Sequence, residues 1–354
     1  MRSDIVTKEN ADRPLTVVIG APLEAEHAAT IAAALPGRLR VLHEPDLLPV
    51  PRYVADHNGI PRSLDPAQQR RWLEVLAEAD IMFDFDWFDP ANLPKNAPRL
   101  RWLQGTSAGI GEFLTRTGLI RSDITFTTAA GVHGGALAEF TLLGLLHFFR
   151  EVPRLTAMQK AHHWERYTNR EMAGSRLLLV GLGGVGREVA RRCAAMGIEV
   201  WGARRRADEA PPEGVTRLVP VGELRNHLPA VDALVLACPL TSETRGLIGA
   251  AEIAAMRPTA IIVNIARGAV IDEAALIAAL AANRLGGAAL DVFATEPLPA
   301  DSPLWDMPNV LFCPHSASTV MAENERIVAL FLDNLRRYVE GRPMRNLFDK
   351  TRGY

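Results

Sequence analysis

Cysteine is scarce in this 354-residue chain, which contains only Cys193, Cys238 and Cys313. An odd number of scattered cysteines excludes the disulfide framework of small secreted domains and is typical of a reducing compartment. We therefore predict a cytoplasmic protein whose three thiols are small buried side chains. Residues 1–14 lack the apolar run of a signal peptide, and we expect them to form a loose tail.

A long apolar run and an excess of charge of one sign are also missing. The most apolar stretch, residues 136–149, is too short to cross a bilayer and includes Glu139 and His147, so it predicts a buried or interface helix. The formal net charge is only -2, which favours neither nucleic acid nor an anionic membrane as a partner. We expect a small-molecule partner that binds locally.

Lysine is rare as well, because only Lys8, Lys95, Lys160 and Lys350 are found among the 39 basic residues. Few residues are therefore available for chemistry that depends on an amine. The adjacent histidines His162 and His163 have no partners at metal-ligand spacing, so we interpret them as surface residues and predict no metal site.

The second half of the chain alternates short runs rich in Val, Ile and Leu with Ala-rich helical patterns. This alternation predicts βαβ units and a doubly wound parallel sheet, which is an α/β fold of the Rossmann type. The helix predicted at 272–282 begins at Asp272 and ends before a Gly-Gly pair, as capping preferences require. The predicted strands are 176–180, 198–203, 217–219, 232–238, 260–265, 287–291 and 310–313.

The region before residue 128 has an α/β alternation of its own, which predicts a smaller, second α/β domain. Its predicted strands are 15–20, 39–43, 80–85, 100–105 and 124–128, and its predicted helices are 23–35 and 66–78. After the last strand, apolar residues between 327 and 338 recur at helical spacing, and we expect this helix to pack on the N-terminal domain. Residues 56–66 are polar with Gly and Pro, which indicates a surface loop.

A glycine-rich turn joins the predicted strand 176–180 to a helix. The turn follows the G-x-G-x-x-G pattern and comprises Gly181, Gly183, Gly184, Val185 and Gly186. Between a strand and a helix this pattern indicates a dinucleotide site, because the glycines allow a tight turn, close approach of the pyrophosphate and close helix packing. The helix N-terminus then faces the phosphates.

The end of the next predicted strand carries Arg204, Arg205 and Arg206, where NAD-specific sites normally have an acidic residue. Arginine can pair with the 2′-phosphate of NADP, so NADP is the predicted cofactor, with NAD as the alternative. The other interpretation is a solvated surface run. Asp208 and Glu209 lie too far along the chain to replace the acidic residue that is missing at the end of this strand.

Three later strand ends carry side chains suited to reducing a carbonyl group. His315 can give a proton to the carbonyl oxygen and take it back, and Glu296 can fix the imidazole and stabilise its protonated form. Arg267 can bind a substrate carboxylate and polarise the carbonyl. Because the carboxyl ends of parallel strands lie on one edge of a sheet, we expect these three residues to face the nicotinamide.

The segments 264–273, 290–297 and 313–317 resemble the signatures of the D-isomer-specific 2-hydroxyacid dehydrogenases. They read NIARGAVIDE, LDVFATEP and CPHSA. The resemblance covers most of the chain and extends to the 238–244 segment and to Ser107-Ala108-Gly109. It implies hydride transfer between a nicotinamide dinucleotide and C2 of a small 2-keto or 2-hydroxy acid.

The resemblance also implies a discontinuous substrate domain, 1–127 with 318–354, around a coenzyme domain, 128–317, and a homodimer. It implies that the amides around Ser107, Ala108 and Gly109 hold the substrate carboxylate. The remaining cofactor-binding positions are Cys238, Pro239, Thr244, Ile265, Ala266 and Asp291, of which Asp291 orients the nicotinamide carboxamide. Trp87 is an aromatic residue after a predicted strand, so it either lines the substrate pocket or packs in the core.

Several alternatives stay open at the level of sequence. The same fold occurs in a non-enzymatic dinucleotide-sensing regulator, and an NAD-using member such as a phosphoglycerate-type dehydrogenase also resembles the chain. Formate dehydrogenases pair the histidine with glutamine, whereas position 296 is glutamate. Short-chain dehydrogenases are disfavoured because no tyrosine is followed four positions later by lysine. Glyoxylate, hydroxypyruvate and bulkier keto acids all remain candidate substrates.

Overall fold

The computed structural model describes residues 13–205 and 208–353. Contacts divide the chain into two compact units, one formed by residues 1–132 and 319–354 and the other by residues 133–318. We call them the outer unit and the central unit. No helix among the described residues is long and apolar enough to span a membrane.

The described residues form strands and helices in regular alternation. The strands are Leu15–Ile19 (β1), Leu39–Leu42 (β2), Ile81–Phe83 (β3), Trp102–Gln104 (β4), Thr125–Thr127 (β5), Arg176–Val180 (β6), Glu199–Arg204 (β7), Arg217–Pro220 (β8), Ala233–Leu236 (β9), Ile261–Asn264 (β10), Gly287–Leu290 (β11) and Val310–Phe312 (β12). The α-helices are Ala25–Ala32 (α1), Pro66–Ala77 (α2), Leu93–Asn96 (α3), Gly111–Thr117 (α4), Gly134–Phe149 (α5), Val152–Lys160 (α6), Gly184–Ala195 (α7), Leu224–His227 (α8), Ala250–Ala255 (α9), Glu273–Ala281 (α10) and Glu323–Val339 (α11).

The central unit is built on a seven-stranded parallel sheet with the order β12-β11-β10-β9-β6-β7-β8. Strands β9 and β10 are buried along their length, and β6 is buried except at Arg176, as expected for parallel strands that are continuous apolar runs. The chain reverses its direction of strand addition between β6 and β9. In such sheets this is the place where ligands bind, beyond the carboxyl ends of the strands.

The outer unit is built on a five-stranded parallel sheet with the order β2-β1-β3-β4-β5. Helix α11 packs on one face, where Phe331 stacks on Trp102 with ring centroids 5.1 Å apart. Ile327, Leu335 and Tyr338 belong to the same buried cluster. The apolar face predicted for the C-terminal helix therefore packs on the N-terminal part of the chain, as expected.

The α/β architecture with two parallel sheets confirms the predicted fold class, and most strand bounds differ from the prediction by one or two residues. The helix predicted at 23–35 is shorter than expected, since only Ala25–Ala32 is helical. Cys313 is only partly buried, unlike Cys193 and Cys238, so the prediction of three buried thiols was wrong for that residue. The predicted tail lies largely outside the described residues.

The segment 56–66 is not simply a polar surface loop. Asp56 at its start is only 3% exposed, and its carboxylate accepts hydrogen bonds from the backbone N–H groups of Arg52 and Gly59 and from the Arg52 guanidinium. Nothing in the sequence of the segment indicated that Asp56 is buried, because a charged residue next to Gly and Pro usually faces solvent. The segment is thus organised around a buried carboxylate.

Candidate active site

The glycine-rich turn has the geometry that dinucleotide binding requires. Gly181 has φ 99°, and a Cβ there would lie 2.7 Å from the backbone of Ala237. A Cβ at Gly186 would lie 1.9 Å from the carbonyl oxygen of Gly181. The start of α7 can therefore pack against the glycine-rich loop only because residue 186 has no side chain. A Cβ at Gly183 would project into open space, which leaves room for a phosphate at the N-terminus of α7.

The end of β7 carries Arg204, as the sequence predicted, but the acidic residue thought to be too distant lies beside it. The guanidinium of Arg204 is 2.8 Å from Glu209 Oε2, and that of Arg205 is 3.7 Å from Glu243 Oε2. Glu209 is therefore paired with the arginine at the strand end, although the sequence placed it too far along the chain to replace the missing carboxylate. Arg206 lies outside the described residues.

Other predicted cofactor positions follow β9 and β10 in the central unit. Thr244 closes the 238–244 segment, because its Oγ1 donates to the Pro239 carbonyl (2.7 Å) and accepts from the backbone N–H of Thr241 (2.8 Å). Burial raises the pKa of the Cys238 thiol to about 11, so it stays protonated. Ile265 and Ala266 are buried directly after β10.

His315 and Glu296 form a hydrogen-bonded pair in the central unit. Nδ1 of His315 lies 2.7 Å from Oε2 of Glu296, and the other carboxylate oxygen accepts from the backbone N–H of Phe293 at 3.0 Å. Burial by itself would raise the pKa of Glu296, but these hydrogen bonds and the charges of His315 and Arg267 together hold it below its ordinary value. The carboxylate is ionised, so Nδ1 of the imidazole is the donor and Nε2 is left for another group.

The backbone around His315 is held in an uncommon conformation. His315 has φ 51°, in the left-handed region, and its N–H donates to the carbonyl oxygen of Asp291 at 2.9 Å. The Asp291 side chain accepts from the backbone N–H of Ala317 at 2.9 Å. Burial raises the pKa of Asp291 above its usual value. Asp291 thus holds the backbone at His315 through its carbonyl oxygen and at Ala317 through its side chain.

Arg267 follows β10 and lies close enough to Glu296 to act on the pKa of that carboxyl group. Its Nη1 donates to the carbonyl oxygen of Ala266 at 2.7 Å. Asn264 at the end of β10 shapes this turn, since its amide donates to the Arg267 carbonyl and accepts from the Ala266 N–H, both at 3.1 Å. The central unit therefore brings together the three side chains that the sequence singled out.

Three residues that support this geometry were not assigned a role from sequence. Asn264 is described above. Glu273 accepts a hydrogen bond from the backbone N–H of Ala294 at 2.8 Å and so holds the loop that carries Glu296. A Cβ at Gly268 would lie 1.9 Å from the Phe293 backbone, so a glycine is needed there for the same loop to pack closely. One usable signal was present for Asn264, because it is a polar residue that ends an otherwise apolar strand.

The predicted substrate residues lie in the outer unit. Ser107 accepts the backbone N–H of Ala129 through its carbonyl oxygen at 3.0 Å, and its Oγ accepts the N–H of Gly109 at 3.4 Å. Ala108 lies between them and is partly buried. Trp87 packs edge-on against Phe88 at a centroid distance of 5.8 Å. Among residues 13–205 and 208–353, no cluster of three or more potential ligands is arranged to hold a metal ion.

Comparison with known proteins indicates the family of the chain. Residues 142–317 match the model of the family described as D-isomer specific 2-hydroxyacid dehydrogenase, NAD binding domain. A glyoxylate reductase of Thermococcus gammatolerans is 34% identical, over 72% of this chain and 78% of that protein. An (S)-sulfolactate dehydrogenase of Chromohalobacter salexigens is 38% identical, over 61% of this chain and 70% of that protein.

A solved structure is similar over nearly the whole chain. It is an NADPH-dependent glyoxylate/hydroxypyruvate reductase of Sinorhizobium meliloti in complex with NADP and sulfate, with a TM-score of 0.77 and 29% identity, and the match covers 96% of this chain and 100% of that one. The parallel-sheet fold, the family model and these relatives agree. The chain belongs to the D-isomer-specific 2-hydroxyacid dehydrogenase family.

Proposed function

We propose that the protein catalyses NADPH-dependent reduction of a small 2-keto acid to the D-2-hydroxy acid. The observation that carries this proposal is the 2.7 Å pairing of His315 with Glu296 beside Arg267, in the same unit as the glycine-rich turn. General hydride transfer between NAD(P) and 2-hydroxy acids is the activity of the family. The preference for a small keto acid is supported by the glyoxylate and glyoxylate/hydroxypyruvate reductases among its relatives.

His315 supplies the proton in this reaction. The nicotinamide, when bound, supplies the hydride to C2, and negative charge grows on the carbonyl oxygen. Because Nδ1 is bonded to Glu296, only Nε2 is available to protonate that oxygen, and the ionised carboxylate stabilises the imidazolium that must be present before the transfer. In the oxidative direction the neutral imidazole accepts the same proton.

Arg267 binds the substrate carboxylate and polarises the keto group. A guanidinium suits both tasks because it keeps its charge and forms paired hydrogen bonds to carboxylates. For the 107–109 segment of the outer unit, which we call the carboxylate loop, we propose that the backbone amides bind a substrate carboxylate. In the central unit, the glycine-rich turn and the 238–244 segment hold the pyrophosphate, and Asp291 holds the carboxamide.

A panel of 2-keto acids tests this proposal directly. Purified protein is mixed with NADPH and with glyoxylate, hydroxypyruvate or a branched-chain keto acid, and loss of NADPH absorbance is followed. We expect turnover of at least one small keto acid and formation of the D-hydroxy acid on chiral chromatography. Absence of turnover across the panel, or an L-product, would contradict the proposal.

Replacing Glu296 with glutamine is expected to change the pH profile more than substrate binding. Glutamine can still accept the Nδ1 hydrogen bond, but it no longer stabilises the imidazolium by charge. The fall in kcat/KM for keto acid reduction with rising pH should then begin at a pH lower by about one unit or more. Oxidation of the hydroxy acid needs the neutral imidazole, so it should tolerate low pH better. Identical profiles for the two proteins would contradict the role of Glu296.

We also propose a homodimer that uses the surface around α5 and α6. Large apolar side chains are exposed there, including Leu143 (53% exposed), Leu155 (45%) and Trp164 (91%), and such a cluster is typical of an interface. The double variant Leu143→Glu with Leu155→Glu should sediment at half the mass of the parent protein. Leu73→Glu, on α2, is the control and should leave the mass unchanged. A monomeric parent protein would contradict the proposal.

The cysteines support a cytoplasmic location. All three are free thiols in the structure, and burial raises the pKa of the Cys193 thiol to about 12. Buried thiols of this kind are inert packing groups that a reducing compartment preserves.

A further inference from the structure

The carboxylate loop is attached to a neighbouring strand end by an acidic side chain. Asp84 directly follows β3, and its two carboxylate oxygens accept from the backbone N–H and the Oγ1 of Thr106, at 3.2 and 3.0 Å. Thr106 is the residue immediately before Ser107. Asp84 itself has φ 66°, a conformation that residues other than glycine adopt mainly where their surroundings hold them in it.

A histidine from the 56–66 segment lies near Asp84. Burial raises the pKa of both Asp84 and Glu323, and the nearby imidazole of His57 opposes part of this effect. Its Nε2 lies 2.7 Å from Oδ1 of Asn324, whose amide nitrogen donates to Glu24 at 2.8 Å. Because Glu24 requires the amide nitrogen to face it, the oxygen of Asn324 faces the imidazole, and Nε2 is the donor.

The position of His57 is fixed independently by its neighbours. Asp56 accepts four hydrogen bonds, from two groups of the Arg52 guanidinium and from the backbone of Arg52 and Gly59. These bonds hold the pKa of Asp56 at about 2, so its carboxylate stays ionised and the loop stays closed around it. Val50 and Ile60 also pair as an isolated bridge. His57 therefore bonds to Asn324 from a structured loop.

We propose that Asp84 is a positioning residue for the carboxylate loop. This inference rests on the proposed function, because it assumes that the loop binds the substrate carboxylate. Both oxygens of Asp84 accept from Thr106, so the two bonds fix the backbone and the side chain of the residue that immediately precedes the loop. The loop amides are then aimed before the substrate arrives, which lowers the entropy lost on binding.

The first test compares Asp84→Asn with the parent enzyme. Asparagine has the same shape and tolerates the left-handed conformation, so the fold should survive. We expect KM for the keto acid, and the inhibition constant of oxalate as a carboxylate probe, to rise about tenfold. The Kd for NADPH, measured by fluorescence, and kcat should stay within about twofold of the parent values, since neither depends on the loop.

Thr106 offers a matched pair of variants. Thr106→Val removes the hydroxyl and should raise KM, whereas Thr106→Ser keeps both donors and should restore the parent value.

The outcomes separate this inference from the proposed function. If the parent enzyme reduces no keto acid, the proposed function fails before any variant is made. If the parent enzyme is active and Asp84→Asn keeps its KM and its affinity for oxalate, the positioning role is wrong and the proposed function stands. A lower thermal midpoint and lower kcat with KM unchanged would assign Asp84 to the core and would also overturn the inference.

Discussion

Replacing His315 with alanine is expected to lower kcat for keto acid reduction by about 10²- to 10⁴-fold, the usual contribution of a positioned general acid. The physical reason is the geometry of the pair, because the ionised Glu296 orients Nδ1 and leaves Nε2 as the proton donor. Water can replace the donor only weakly. The measurement is kcat at saturating NADPH and keto acid, together with the Kd for NADPH.

The Kd for NADPH should change by less than about twofold, because the imidazole acts on the carbonyl oxygen and not on the dinucleotide. His163→Ala is the matched control, since His163 is also a partly exposed histidine 3.5 Å from a glutamate, Glu165, and it lies outside the site. Its variant should retain parent activity. If His315→Ala keeps most of its activity, the proton comes from another group and the proposed mechanism fails.

The sequence was sufficient for the architecture because apolar runs and glycine turns carry most of the information about a parallel sheet. The strand β6 and the turn at Gly181 lie where predicted, since burial on both faces selects a continuous apolar run and the turn excludes side chains. Strand ends were less predictable. The strand predicted at 80–85 ends at Phe83 because Asp84 takes a left-handed conformation, which no periodicity encodes.

The proximity of His315, Glu296 and Arg267 could be predicted from sequence because parallel strands place their carboxyl ends along one edge. Their supporting residues could not be chosen in the same way. Glu273 lies on α10 yet bonds to Ala294, and His57 lies in a loop yet bonds to Asn324, so both depend on contacts between distant segments. Such contacts depend on loop conformation, for which one sequence gives no pattern.

Position 204 shows what the sequence could predict and what it could not. The sequence correctly put an arginine at the end of β7, because strand length and burial fix that position. The sequence did not indicate that Glu209 pairs with this arginine, because their separation depends on contacts that have no sequence pattern. A 2′-phosphate bound by Arg204 would have to compete with this carboxylate, which lies 2.8 Å from the guanidinium.

NADPH is expected to exceed NADH in kcat/KM by about 10- to 100-fold, the value of one or two hydrogen bonds between a guanidinium and an anion. Arg204→Ala should remove most of this preference by weakening NADPH use while NADH use stays nearly constant. Arg191→Ala, an arginine of α7 paired with Glu188, is the control and should leave both cofactors unchanged. Equal use of the two cofactors by the parent enzyme, or a preference for NADH, would contradict the assignment.

Glu209→Gln tests the competition at the same position. Removing the charge abolishes the ion pair with Arg204, so the guanidinium meets the 2′-phosphate without first releasing a carboxylate, and one anion fewer repels that phosphate. We expect the Kd for NADPH to fall several-fold, which is worth about 1 kcal/mol or less for an exposed pair. The Kd for NADH should not change. The gain should shrink at high salt, because exposed charges are screened. If Glu209→Gln instead weakens NADPH binding, the carboxylate orients Arg204 for the phosphate and does not compete with it.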